Sequence, residues 1–196
     1  MTPCRTPERE ARIREVLGYR QRDLTLVLAN IHDPHNVSAM YRSCDAFGIP
    51  AVHLYYTTAA FPVLGEKSSA SARKWVETVR HRSLRDLQSA LRRDHMRVYA
   101  ASCSPSAQPL WECDFTGPSA VILGNEHSGV DPELFAIADD ALYIPMYGMI
   151  QSLNVSVAAA VIMAEASRQR LLAGKYDAPA YPAEELDRLA AIWREK

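Results

Sequence analysis

The chain has 196 residues, 48% hydrophobic and 23% charged, with 22 basic against 23 acidic side chains and a formal net charge of −1. That hydrophobic content excludes a disordered chain, and the longest uninterrupted apolar run, Val157 to Ala164, is far too short to span a membrane. The near-zero total hides a split: residues 1–97 carry 16 basic and 10 acidic side chains, whereas residues 98–167 carry eight acids and no Lys or Arg, so one territory suits a polyanion and the other a neutral or cationic partner.

In chain order, Thr6-Pro7-Glu8 carries a capping hydroxyl, a proline at the first helical position and an acid in the first turn, which predicts a helix to about Tyr19. Leu24–Ala29, apolar but for Thr25, is a run of strand length, as expected for a strand buried on both faces. Asn36–Phe47 reads as a helix with Asn36 at its N-cap and Gly48 as its stop. Ala51–Tyr56 is a second strand, followed by a Ser/Ala-rich loop over 57–72. Trp75–Val79 alternates like a strand, and Ser83 to Asp86 resembles a capping box that opens a helix to about Arg93.

Val98–Ala101, Ala120–Leu123 and Ala141–Ile144 are further short strands, with a helix started by Asp131-Pro132-Glu133 between the last two. A long helix, Leu153–Ala173, ends at Gly174, and a last helix lies near Glu184–Arg194. Alternation of this kind predicts an α/β domain with a mostly parallel sheet covered by helices on both faces. The expected organisation is a basic helical extension over 1–22, a main domain over 23–174, and a tail with a helix over 175–196.

The four cysteines, Cys4, Cys44, Cys103 and Cys113, form no C-x-x-C pair and no zinc-spaced set with histidine. No metal site is expected. The Arg-rich start has no apolar stretch behind it, so no secretory signal is visible and reduced thiols in the cytoplasm are the expectation.

Ligands of parallel sheets bind at the carboxyl ends of strands, so the loops after Ala29, Leu123 and Ile144 are where chemistry is expected. The first leads into Asn36 and Arg42. An arginine among Ala39, Met40 and Tyr41 reads as partly buried and in need of an anion. Six helical steps separate Asn36 and Arg42 by roughly 240° around the axis, so they serve one site only if the helix meets it end on. The second loop, Gly124-Asn125-Glu126 to Gly129, is a tight turn between glycines that permits close approach of a ligand. The third, Pro145 to Asn154, is apolar and runs directly into a helix, with Ser152 as a candidate cap and Asn154 just inside.

Together these loops resemble the SpoU family of RNA 2′-O-ribose methyltransferases of the SPOUT superfamily. The pieces that match are Asn36 with Arg42, then Gly124-Asn125-Glu126 with Gly129, then Ile144-Pro145-Met146 through Gly148 to Gln151–Ser156. The short basic first helix, with Arg168, Arg170 and the final helix, is similar to the TrmH-type branch that methylates a D-loop guanosine of tRNA.

The resemblance implies a C-terminal trefoil knot, S-adenosylmethionine as cofactor, tRNA as substrate, and a homodimer with the active site at the interface. It assigns catalytic or site-shaping roles to Arg42, Asn36, Glu126, Ser152 and Asn154. Cofactor contact falls on Ala101, Gly124, Asn125, Ile144, Met146, Ser152 and Leu153, and tRNA contact on Arg12, Arg168 and Arg170. Guanidinium groups keep their proton in proteins, so Arg42 is read as a phosphate-binding and charge-stabilising group rather than a base. Asp33 and Ala101 depart from the family pattern, which carries a base and a polar residue there. Alternatives are a wobble-position or ribosomal RNA ribose as target, or a catalytically silent RNA-binding protein.

Overall fold

The computed structural model describes residues 6–58, 60–62, 72–104 and 106–196. Cys4, Lys67 and most of the Ser/Ala-rich loop expected over 57–72 lie outside them. Among the described residues seven strands form one sheet: β1 (Leu24–Ala29), β2 (Ala51–Tyr55), β3 (Glu77–His81), β4 (Arg97–Ala101), β5 (Gln108–Pro109), β6 (Ser119–Leu123) and β7 (Asp140–Tyr143). Their order is β3-β2-β1-β6-β4-β7-β5, and every pairing is parallel. Every residue of β1 and of β6 is buried, as near-continuous apolar strands in the middle of a covered sheet require; the two hydroxyls, Thr25 and Ser119, donate to the carbonyls of Ala51 and Gly117. From β1 the chain builds outward through β2 to β3, then crosses to the far side of β1. The loops after β1 and β6 therefore diverge at a topological switch point, where a crevice opens.

Seven α-helices complete the described fold: α1 (Pro7–Gly18), α2 (Pro34–Ala46), α3 (Ala72–Trp75), α4 (Leu84–Arg93), α5 (Pro132–Phe135), α6 (Val155–Leu172) and α7 (Ala183–Arg194). Side chains alternate across each strand, so the sheet feeds two cores. On one face Leu24, Leu26 and Leu28 pack with Val37, Met40 and Cys44 of α2 and with Ile162 and Met163 of α6. On the other, Val27, Ala120 and Ile122 pack with Leu87 and Leu91 of α4 and Leu134 of α5. A separate small core joins the ends of the chain, with Ile13 and Leu17 of α1 against Ala190 and Trp193 of α7.

Three local expectations change. The helix after β1 starts at Pro34 and is capped by Asp33, whose carboxylate accepts from the His35 N–H at 2.8 Å, because proline is favoured at the first helical position. Asn36 thus sits in the first turn rather than at the cap. The strand expected at Trp75–Val79 begins at Glu77, since Ala72–Trp75 forms a helical turn that packs Trp75 on Trp193 at 4.9 Å between ring centres, the rings tilted by 51°. The long helix starts at Val155, and its cap is Asn154 rather than Ser152.

Candidate active site

Glu126 organises the crevice. Its carboxylate accepts from the backbone N–H of His32 (2.9 Å) and of Asp33 (3.3 Å) and from Nδ2 of Asn36 (2.8 Å). Partial burial pushes this carboxyl upward, but the donors from Asn36, His32 and Asp33 outweigh it and hold the group below the usual carboxylate range. Asn36 Oδ1 in turn accepts from Asn154 Nδ2 at 3.0 Å, and Asn154 Oδ1 caps α6 by accepting from the Ser156 N–H at 2.9 Å and its hydroxyl at 2.6 Å. One hydrogen-bonded chain, Glu126 to Asn36 to Asn154, therefore links the loops after β6, β1 and β7. An amide is needed at both asparagine positions because each donates to one neighbour and accepts from another.

The turn at 124–129 needs its glycines for different reasons. A Cβ on Gly124 would lie 2.1 Å from the carbonyl oxygen of Gly129, and Gly129 has a φ of +73°. Asn125 braces this turn, its Oδ1 accepting from the N–H groups of His127 (2.9 Å) and Ser128 (3.3 Å). Beside it lies a cavity of about 790 Å3 lined by Ala101, Gly124, Asn125, Ile144, Met146, Ser152 and Leu153, together with Glu126, Leu142 and Asn154. That volume falls in the range of small-molecule pockets. Among the described residues no Lys or Arg lines it, in keeping with the cation-free stretch over 98–167. A cavity whose lining carboxylate is Glu126 favours a cationic ligand over an anionic one.

The remaining arginines separate. Arg42 is exposed on the outer face of α2, contrary to the expected partial burial, and makes no ion pair or hydrogen bond among the described residues. Its neighbours Met40 and Tyr41 take the inward positions. Arg12 and Arg168 are exposed, each paired at 2.8 Å with a glutamate three residues away, Glu15 and Glu165. Arg170, expected at the tRNA-facing surface, lies in the core instead. It is fully buried, its Nε donating to the Phe115 carbonyl and its terminal nitrogens to Gln21, Asp23 and the Gly117 carbonyl. A side chain whose donors are consumed in the core has nothing left for a phosphate. Among the described residues no group of three or more His, Cys, Asp or Glu side chains is placed to hold a metal ion.

The chain matches the SpoU rRNA Methylase family over residues 23–164. It belongs to that family. The tRNA (guanosine(18)-2′-O)-methyltransferase of Thermus thermophilus is 46% identical over 192 residues, 98% of each chain. Among solved structures, the A. aeolicus TrmH/SpoU tRNA modifying enzyme superposes with a TM-score of 0.89 at 36% identity over 95% of both chains. The SpoU methyltransferase AviRb from Streptomyces viridochromogenes, in complex with the cofactor AdoMet, superposes with a TM-score of 0.66 at 27% identity, covering 77% of this chain and 59% of that one.

What the sequence pattern missed in this SpoU-family site is Asn30. It directly follows β1, outside the segments that match the family, and its one local signal is an amide after an apolar strand.

Proposed function

We propose that this SpoU-family chain is a tRNA (guanosine(18)-2′-O)-methyltransferase, which moves a methyl group from S-adenosylmethionine to a ribose 2′-hydroxyl in the D-loop. The observation that carries the choice of substrate is the 46% identity to the Thermus enzyme over 98% of both chains, which extends past the family match at 23–164 into α1 and α7. The family core alone would not separate one RNA target from another.

The cavity beside Gly124 fits S-adenosylmethionine because it is large enough, is bordered by the tight Gly124–Gly129 turn, and among the described residues has no Lys or Arg in its lining to repel a sulfonium. Ala101, Gly124, Asn125, Ile144, Met146, Ser152 and Leu153 hold it in this reading, with backbone groups recognising its polar edges. When bound, it supplies a methyl group made electrophilic by its positive sulfur.

The work left to the protein is to position a weak nucleophile and to stabilise the alkoxide that forms on it. Glu126, ionised and acceptor-only, fixes Asn36, which fixes Asn154, so the target nucleotide meets a rigid floor. Arg42 binds the adjoining phosphate and offsets the negative charge that develops on the 2′-oxygen. Exposed Arg12 and Arg168 serve as outer phosphate contacts, at low cost because surface ion pairs such as theirs are worth little.

In the same reading the chain is a homodimer, the active site lies at the interface, the C-terminal segment from β7 through α6 is knotted, and the setting is the cytoplasm, where tRNA is processed. Support for the dimer comes from the apolar side chains left in solvent, with Tyr147 91% and Met149 99% exposed and Ile150, Val157 and Val161 also uncovered. A second chain that covers them brings an exposed Arg42 to a cavity it does not line in its own chain.

Methylation of purified tRNA transcripts with labelled cofactor, followed by primer-extension mapping, tests the whole reading. Label confined to guanosine 18 is expected. Modification confined to a wobble or ribosomal ribose overturns the substrate, and absence of cofactor binding in calorimetry overturns the enzyme.

A further inference from the structure

Asn30 directly follows β1 with a φ of 48°, in the left-handed region that asparagine tolerates better than most side chains. It is buried, and every polar group it has is engaged. Its N–H donates to the Tyr55 carbonyl (2.9 Å) and its own carbonyl accepts from Asn125 Nδ2 (2.9 Å). In the side chain, Oδ1 accepts from the N–H groups of Thr57 (3.1 Å) and Thr58 (3.4 Å), and Nδ2 donates to Asp131 Oδ2 (3.0 Å). One residue thus joins the ends of β1 and β2, the 124–129 turn and the start of α5.

Those bonds fix both halves of the Glu126 contact. Two residues further on, His32 and then Asp33 supply N–H donors to the carboxylate, and Asn125, which Asn30 holds, immediately precedes Glu126 itself. Asn30 does not line the cavity, so it touches neither ligand nor reacting atoms.

We infer that Asn30 is a positioning residue for methyl transfer, setting the register between the donor loop at 31–33 and Glu126; this rests on the methyltransferase reading above. The polarity of its amide is what matters, with oxygen toward two N–H groups and nitrogen toward a carboxylate. Asn30→Asp keeps the acceptor for Thr57 and Thr58 but sets a second carboxylate against Asp131. Adding Asp131→Asn restores a complementary pair, since the new amide donates to the free oxygen at position 30.

The test is steady-state tRNA methylation by the full-length protein with labelled S-adenosylmethionine, rates being expressed per cofactor-binding site counted by equilibrium dialysis. In Asn30→Asp, kcat per site is expected to fall at least about tenfold while KM for tRNA and cofactor affinity stay within about threefold, because misplaced groups slow chemistry more than binding. The double variant is expected to recover most of the loss. Should Asn30→Asp fail to fold, Asn30→Gly keeps the left-handed backbone and removes the amide, and the same fall in kcat is expected.

Unchanged kcat per site in the folded single variant, a loss confined to KM, or no recovery in a folded double variant would each overturn the inference. Failure of the unaltered protein to methylate any ribose would instead overturn the functional reading.

Discussion

An ionised Glu126 accepts three hydrogen bonds and donates none, so the site has a fixed polarity that runs outward through Asn36 to Asn154. Arg42 stands outside both this chain of bonds and the cavity lining, which separates its role from that of the pocket. Arg42→Ala is therefore expected to abolish methyl transfer while calorimetric affinity for S-adenosylmethionine stays nearly normal; substantial turnover in that variant would refute the role.

A second residue-scale consequence concerns His53 and His81, stacked on neighbouring strands with Nδ1 and Nε2 2.8 Å apart. Burial first, and then the neighbouring His81, pushes His53 down to about 4, and burial also lowers His81. A folded value below the unfolded one, about 6.5, means the fold favours the neutral rings. Their contribution is present above about pH 6.5 and drains away as the pH falls toward about 4. Urea denaturation across that window is expected to show stability falling with acidity, and the slope is expected to flatten in His53→Gln. Arg170 shows why residue type alone misleads. The same guanidinium that suits a phosphate in solvent is here a buried tie among Asp23, Gln21 and two carbonyls. Arg170→Ala leaves Asp23 with Lys175 alone, 3.5 Å away, and strips the Phe115 and Gly117 carbonyls of their donor, so it should cost about 3 kcal/mol of stability, read by chemical denaturation, rather than weaken tRNA binding at equal folded fraction.

At the scale of elements, α1 and α7 form a small core of their own, remote in sequence and joined by Ile13, Leu17, Ala190 and Trp193. Arg14 to Asp187 adds an exposed ion pair across the same contact, and Arg194 to Glu10 a half-buried one made through two nitrogens. The exposed pair contributes little, so the indole and the half-buried pair carry the attachment. Trp193 packs on Trp75 and lies under the Arg20 guanidinium at 5.2 Å. Trp193→Ala is expected to cost about 3 kcal/mol and to loosen α7 first, which hydrogen exchange of its amides will detect before the sheet is affected. The elements themselves were largely legible beforehand. β1 appears over its full extent as an apolar run, and the Ser83 cap of α4 appears in its own spacing, its hydroxyl accepting from the Asp86 N–H. What slipped were helix starts, because Asp33 and Asn36, like Ser152 and Asn154, are all competent caps and the choice between them depends on where the preceding loop delivers the chain. The two-residue β5 carries no periodicity at all and was invisible.

For the whole molecule, charge distribution matters more than the total. The cavity collects its lining from residues 101–162, a stretch without Lys or Arg, while 67–97 carries nine basic residues against three acids. Affinity for tRNA is therefore expected to fall steeply with salt in filter-binding titrations, whereas affinity for S-adenosylmethionine is expected to change little; equal salt slopes would contradict the assignment.

The class of the fold and the loops that border the cavity were legible in the amino-acid sequence, because hydrophobic runs encode burial locally and glycine, proline and amide residues mark strand ends; the seven residues that the family resemblance assigns to a cofactor all line that cavity. Which side chains touch follows from the three-dimensional arrangement of the strands and helices. The Asn36–Glu126 bond spans 90 residues and the Asn154–Asn36 bond 118. Such bonds depend on strand order, which places β6 beside β1 and α6 beside α2, and no local pattern records that order. The same reason hid Asn30, whose partners come from three other segments, and exchanged the expected environments of Arg42 and Arg170.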